Sequence, residues 1–167
     1  EISACLVGSE MCIRDRDYEA VIAAIIKNGA KEGATLLVGH GTYTPATAQY
    51  AMLDYMFKEK GFKDYSVGTI EGYPTFDTMV AQVKANGTKK VLLMPFMFVA
   101  GDHAKNDIAG DWKEELEKKG YEVSVFMEGL GQNPDIQKIF IEHARFMAKH
   151  KMIDIVDKKK AYAVEKD

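Results

Sequence analysis

The sequence lacks the features of a membrane-spanning or nucleic-acid-binding protein. No stretch approaches the roughly 18 to 20 consecutive apolar residues that span a bilayer. The formal net charge is only −3, and no basic patch with interleaved aromatic residues suggests a nucleic-acid surface. Both cysteines, Cys5 and Cys12, lie near the N-terminus, so cysteine usage identifies no redox compartment. We therefore expect no membrane partner and no nucleic-acid partner. We also expect the protein to be cytoplasmic, although an exported form stays open because the true N-terminus is not seen.

Residues 1–16 differ in character from the rest of the chain. They show no convincing amphipathic period, and residues 6–16 resemble the translation of a transposon-type sequencing-library adapter. We expect 1–16 to be an artefactual or disordered segment, to be set apart from the fold. The folded domain is then predicted over residues 17–150, with a charged tail over 151–167.

Short apolar stretches alternate with amphipathic helical stripes along the chain, and 47% of the 167 residues are hydrophobic, enough to bury a core. The predicted strands are 35–39, 65–70, 91–99 and 121–126. The helical stripes are 18–26, 52–57, 76–83, 108–116 and 136–147. This alternation predicts an α/β fold with a four-stranded parallel sheet flanked by helices. Successive strands are expected to be neighbours, with the carboxyl ends of the first three along one edge.

Three ionisable residues follow three successive predicted strands, namely His40, Glu71 and His103. Ligands of open α/β sheets bind beyond the carboxyl ends of the strands, so the three side chains can converge there. Two imidazoles and one carboxylate suit a divalent transition ion such as cobalt, nickel, iron or zinc. The same groups can move protons near neutral pH. The three residues are therefore predicted as metal ligands and as catalytic residues.

Each of these residues also has a structural explanation. His40 could brace the turn that follows it, and Glu71 could cap the next helix. Near His103, helix capping by Asp102 or Asp107 explains the acidic residues but not the imidazole. His103 is therefore the strongest of the three candidates.

Other polar and sulfur-containing residues predict no additional site. Residues 39–42 lack the third glycine of a dinucleotide fingerprint and the lysine of a phosphate-binding loop, so no nucleotide is expected. His143 lies on the apolar face of the last helix and is expected to be a core or boundary residue. Core packing is also expected for the methionines at helix or strand spacing, among them Met52, Met56, Met79 and Met94.

Three motifs together resemble a known family. They are LVGHGT at 37–42, GTIEGYP at 68–74 and MPFMFVAGDHAKND at 94–107. In this order and with these gaps, they resemble the anaerobic cobalt chelatase of the CbiK type, a class II tetrapyrrole chelatase. The resemblance covers residues 17–150.

The resemblance implies a lyase that inserts Co²⁺ into sirohydrochlorin during anaerobic cobalamin biosynthesis, without ATP. It assigns metal binding and catalysis to His40, Glu71 and His103, and leaves open which of them accepts the pyrrole proton. It also implies a fold of two similar α/β halves facing each other across a cleft, of which this chain resembles the C-terminal half. A tetrapyrrole would then need a second wall, from a missing N-terminal domain or from a second copy in a homo-oligomer.

Two other functions fit the same residues. A non-catalytic module could carry a metal or tetrapyrrole to another protein. A hydrolase could use the two histidines and the glutamate to hold zinc with an open coordination position. Conversion of sirohydrochlorin in the presence of Co²⁺ distinguishes the chelatase from both.

Overall fold

The structure, a computed structural model, describes residues 15–101 and 104–149. Most of the predicted N-terminal segment and all of the predicted tail over 151–167 lie outside the described residues. Asp102 and His103 lie outside them too. The first helix begins at Asp15, two residues before the predicted start of the domain.

Four strands and five helices make up most of the described chain. The strands are β1 (Ala34–Gly41), β2 (Tyr65–Glu71), β3 (Lys90–Pro95) and β4 (Glu122–Val125). The helices are α1 (Asp15–Ile26), α2 (Ala48–Glu59), α3 (Phe76–Ala85), α4 (Lys113–Lys118) and α5 (Pro134–Lys149). Short 3-10 turns cover Pro45–Thr47 and Leu130–Gln132, and a π-helix over Ala104–Trp112 runs directly into α4. Among the described helices, none combines the length and apolarity needed to cross a membrane.

The sheet is entirely parallel, with the order β2-β1-β3-β4, which confirms the predicted α/β class. The expectation that successive strands are neighbours is wrong for β2 and β3, because β1 lies between them. Strand β1 is an inner strand, paired on both sides, and it is buried continuously from Ala34 to Gly39. The direction of chain progression therefore reverses between β1 and β3, and a reversal of this kind opens a crevice at the carboxyl edge of a sheet.

Both faces of the sheet are covered, which explains why its strands are apolar stretches rather than alternating ones. Leu36 and Val38 pack with α3, the π-helix and α4, whereas Leu37 packs with α1 and α2. Met79 and Met94 lie in these cores as predicted. The prediction for Met52 is wrong, because α2 directs Leu53 and Phe57 inward and leaves Met52 exposed.

The outer edge of β2 is closed by acceptors from outside the sheet. Every second N–H of this edge strand points away from β1. The acceptors are Phe62 O for Tyr65 N–H (3.2 Å), Asp54 Oδ1 for Val67 N–H (2.9 Å) and Pro74 O for Thr69 N–H (2.7 Å). This edge therefore offers no free row of donors to another strand.

Strand β3 ends earlier than predicted, at Pro95 rather than at residue 99. The N–H of Phe96 still donates to Val38 O of β1 (2.7 Å). The carbonyls of Met97 and Phe98 then accept hydrogen bonds from Leu130 and Gly131 (2.8 and 2.9 Å), so the chain leaves β1 and joins the turn before α5. The side chains of Phe96 and Met97 pack against the two cores and the Phe98 ring contacts Phe140 of α5, so the apolar character of residues 96–98 reflects packing and not strand pairing.

Helix α5 confirms the expectation for His143. Its Nε2 lies 3.1 Å from Oδ1 of Asp17 in α1, and the imidazole is part-buried at the boundary between the two helices. Of the stripe predicted for this helix, only Ile136 is fully buried. His143 is thus accounted for by packing and pairing.

Candidate metal site at the carboxyl edge of the sheet

Two of the three predicted ligands lie side by side at the carboxyl edge of the sheet. His40 is the penultimate residue of β1 and Glu71 is the last residue of β2. The register pairs Gly41 with Glu71, so the two candidates are one position apart across neighbouring strands. Both side chains are partly exposed, as access for a metal or substrate requires.

The pleat of the sheet decides how these two side chains can meet. Side chains along a strand alternate between the two faces of the sheet. This alternation assigns His40 to the face that carries Leu36 and Val38, and Glu71 to the opposite face, with Val67. They can therefore share a ligand only beyond the last backbone pair, above the edge. The described residues contain no cluster of three or more His, Cys, Asp or Glu side chains able to hold a metal, and His103, the third predicted ligand, is outside those residues.

The loops after β1 and β2 are in direct backbone contact. Gly41 and Gly72 have φ angles of 79° and 86°, in the region that favours glycine. A Cβ atom at Gly41 would lie 1.7 Å from Glu71 O, and one at Gly72 would lie 2.3 Å from Thr42 O. Each candidate ligand thus precedes a glycine that allows its loop to touch the other.

The His40 ring contacts the backbone of the next residue. Nδ1 lies 3.2 Å from the backbone oxygen of Gly41, and because a carbonyl can only accept, Nδ1 is the donor in this contact. In the neutral tautomer with the proton on Nδ1, Nε2 carries the lone pair with which an imidazole binds a metal. The contact with the backbone is therefore compatible with metal binding by His40.

A single helical segment, the turn Pro45–Thr47 followed by α2, contacts both loops. The ring of Tyr50 lies against Gly39, and its hydroxyl accepts the Gly41 N–H at 3.3 Å. The hydroxyl of Thr47 bonds the backbone of Tyr73, in the loop after β2. The contacts of Thr47 and Tyr50 could not be predicted from the sequence, because a single polar group at the start of an amphipathic helix has no periodic pattern.

The segment after β3 reaches the same edge of the sheet. Phe98 and Val99, at 39% and 69% exposed, precede Gly101, the last described residue before the gap at 102–103. The π-helix begins at once after this gap and is anchored by the buried Ile108 and Trp112. Helices of this type are rare and are frequently found at functional sites.

Comparison with known proteins agrees with the predicted family. The family model described as cobalt chelatase (CbiK) matches residues 4–149. The sirohydrochlorin cobaltochelatase of Salmonella typhimurium is 39% identical over 112 residues, which cover 65% of this chain and 42% of the relative. The sirohydrochlorin cobaltochelatase CbiKC of Nitratidesulfovibrio vulgaris is 30% identical over 149 residues, covering 84% of this chain and 52% of the relative.

Among solved structures, a cobalamin (vitamin B12) biosynthesis CbiX protein from Marinobacter aquaeolei superimposes with a TM-score of 0.58. That comparison covers 72% of this chain and 100% of the other at 18% identity, and it shows a shared fold. The chain spans about half the length of the two curated relatives described above. Because the family match extends over most of the sequence, the chain belongs to the CbiK cobalt chelatase family.

Proposed function

We propose that this chain is the metal-binding half of a sirohydrochlorin cobaltochelatase, which inserts Co²⁺ into a tetrapyrrole without ATP. The observation that carries the proposal is the juxtaposition of His40 and Glu71 across β1 and β2 in a chain of the CbiK family. Two relatives from different bacteria carry the name of this reaction.

Metal insertion exchanges two pyrrole N–H protons for one divalent cation. The protein must hold a partly dehydrated Co²⁺, accept protons and leave one side of the metal open to the ring. In our proposal His40 and His103 hold the ion together with Glu71. As the ion passes to the ring, one of the imidazoles or the Glu71 carboxylate would be released from it and would then accept a pyrrole proton as general base.

The same ligand set accepts Ni²⁺, Fe²⁺ or Zn²⁺, and the family favours Co²⁺. A tetrapyrrole is a wide, flat macrocycle with carboxylate side chains, and one α/β unit presents one wall to it. We propose that the second wall comes from a further domain or from a second copy of this chain.

The test measures Co²⁺ binding and sirohydrochlorin conversion by visible absorbance. His40→Ala, Glu71→Gln and His103→Ala should each lower Co²⁺ affinity by more than the roughly 10-fold to 100-fold that loss of an outer-shell partner costs. His143→Gln is the matched control, because His143 pairs with Asp17 between α1 and α5. This control should bind Co²⁺ as the unmodified chain does.

The outcomes separate the candidate functions. Conversion faster than the uncatalysed control identifies a chelatase. Binding of both ligands without conversion identifies a carrier only when the domain or second copy that supplies the second wall is present in the assay. Unchanged Co²⁺ affinity in both histidine variants would remove the proposed site.

A further inference from the structure

The hydroxyl of Thr47 forms two hydrogen bonds with the backbone of a single residue in the loop after β2. Its Oγ1 donates to Tyr73 O at 2.6 Å and accepts from Tyr73 N at 3.1 Å. A hydroxyl has one proton and two lone pairs, so donor and acceptor roles are both used on one residue. Two hydrogen bonds to one residue restrict both the orientation of the Tyr73 backbone and its distance from Thr47.

A second set of hydrogen bonds closes the same loop. Both the N–H and the hydroxyl of Thr69 donate to Pro74 O, at 2.7 and 2.9 Å. A Cβ atom at Gly72 would lie 2.9 Å from Thr47 Oγ1. The backbone of Glu71 has little freedom between these two contacts.

Thr47 and the residue that holds β1 belong to the same short segment. Tyr50 contacts Gly39 and Gly41, the residues on either side of His40, and it lies three positions after Thr47. The pairing of Gly41 with Glu71 sets the distance between the two strand ends. One piece of helical backbone contacts both strand ends, and loss of the Thr47 hydroxyl would release only the loop that follows Glu71.

We propose that Thr47 is a positioning residue of the cobalt site, whose hydroxyl holds the loop that follows Glu71 and so limits where the Glu71 carboxylate can lie relative to His40. The inference rests on the proposed function, because it takes both residues as ligands. Its alternative is an ordinary loop hydrogen bond, which would affect stability and leave metal binding unchanged.

The chain offers a matched control at the opposite end of the sheet. Thr88 forms the same pair of hydrogen bonds with the backbone of one residue: its Oγ1 donates to Lys90 O at 3.2 Å and accepts from Lys90 N at 3.3 Å. Lys90 opens β3 and is thus at the amino edge, away from the candidate site. Thr88→Val removes an equivalent pair of hydrogen bonds and leaves the loops after β1 and β2 unchanged.

The experiment titrates the full chain and its Thr47→Val, Thr47→Ser and Thr88→Val variants with Co²⁺, following the d–d absorption bands. Thr47→Val should bind Co²⁺ about 10-fold to 100-fold more weakly and shift the bands, as loss of an outer-shell partner does. Thr47→Ser retains the hydroxyl and should restore both properties, and Thr88→Val should match the unmodified chain. Unchanged affinity and bands in Thr47→Val would overturn the proposal.

Two further readouts keep the result decisive. If Thr47→Val does not fold, a folded Thr47→Ser that loses Co²⁺ affinity overturns the proposal, because serine keeps the hydroxyl. If the unmodified chain does not bind Co²⁺, the proposed function fails, and metal-free NMR decides the positioning role separately. In that case, changes in the chemical shifts of the His40 ring and of Glu71 in Thr47→Val, but not in Thr88→Val, support the positioning role of Thr47. Unchanged chemical shifts in Thr47→Val overturn this role.

Discussion

At the scale of single residues, two glycines set how closely the candidate ligands can approach. Gly41 and Gly72 combine positive φ angles with positions where a Cβ atom would collide with backbone oxygen. Neither requirement can be met by another residue without moving a loop. The separation of the His40 and Glu71 backbones is therefore determined by main-chain contact.

Gly41→Ala should lower the free energy of unfolding by about 2 to 4 kcal/mol, because left-handed strain and a steric clash add together. Gly87→Ala isolates the strain, since Gly87 has a φ of 70° but nothing within 4 Å of the added carbon. It should cost about 1 to 2 kcal/mol. Urea denaturation measures both values, and equal losses would contradict the collision with Glu71 O.

His40 and Glu71 could be predicted because each is an ionisable residue that ends an apolar stretch, and parallel strands bring such ends together. Thr47 could not be predicted, because its partner Tyr73 is 26 positions away and both residues look like ordinary loop positions. Asp54 was also missed, since its burial depends on the N–H of an edge strand.

At the scale of elements, Asp54 joins two helices that cover opposite faces of the sheet. Its carboxylate in α2 accepts from Val67 N in β2 at 2.9 Å and from Gln82 Nε2 in α3 at 3.0 Å. Lys58 donates to the same carboxylate and to Gln82 Oε1. The group closes the β2 edge and links α2 to α3 around it.

Asp54→Ala should lower the free energy of unfolding by about 2 to 4 kcal/mol, because it leaves the buried Val67 N–H without its acceptor and the partly buried Lys58 ammonium group without its counter-charge. Asp54→Asn can still accept the Val67 N–H and should lose less. Glu117→Ala removes an exposed partner of Lys113 and should change stability by no more than about 0.5 kcal/mol. Equal stability of Asp54→Ala and Glu117→Ala in urea denaturation would refute this role of Asp54.

The strands were predictable because both faces of the sheet are covered, which produces apolar stretches of strand length. Their order was not, because the α3 crossover can bring β3 to the free edge of β2 or to the free edge of β1, and local periodicity carries no information on that choice. The excess length predicted for β3 arises because Phe96, Met97 and Phe98 are apolar through packing against the two cores and α5.

At the scale of the whole molecule, Tyr65 couples the stability of the fold to alkaline pH. Its ring stacks on Phe57 at 4.9 Å, and the side chain is 4% exposed. Burial raises the pKa of the Tyr65 hydroxyl above its ordinary value of 10.0; Asp64 adds to the rise and a hydrogen bond with Thr35 opposes it. The stability that this group contributes is fully present below pH 10.0 and is lost as pH rises through the folded-state pKa.

Tyr65→Phe should therefore remove part of the alkaline loss of stability. Lys58 acts with the opposite sign, because burial lowers its pKa from 10.5 and the stability it contributes rises with pH toward that value. The measurement is thus the difference in unfolding free energy between the unmodified chain and Tyr65→Phe from pH 8 to about 11. The difference should move in favour of phenylalanine above pH 10, and a difference that stays constant over this range would contradict the role of Tyr65.

The backbone contact between the loops after β1 and β2 divides the site into a fixed part and an adjustable part. A residue inserted directly beside Gly41 or Gly72 would disturb the contact of Gly41 with Glu71 O or of Gly72 with Thr42 O. The described residues of the segment after β3 are not among the atoms nearest to Gly41 or Gly72. If the proposed function holds, efforts to re-engineer the site for a larger or smaller macrocycle should therefore vary the segment after β3 and keep the first two loops intact.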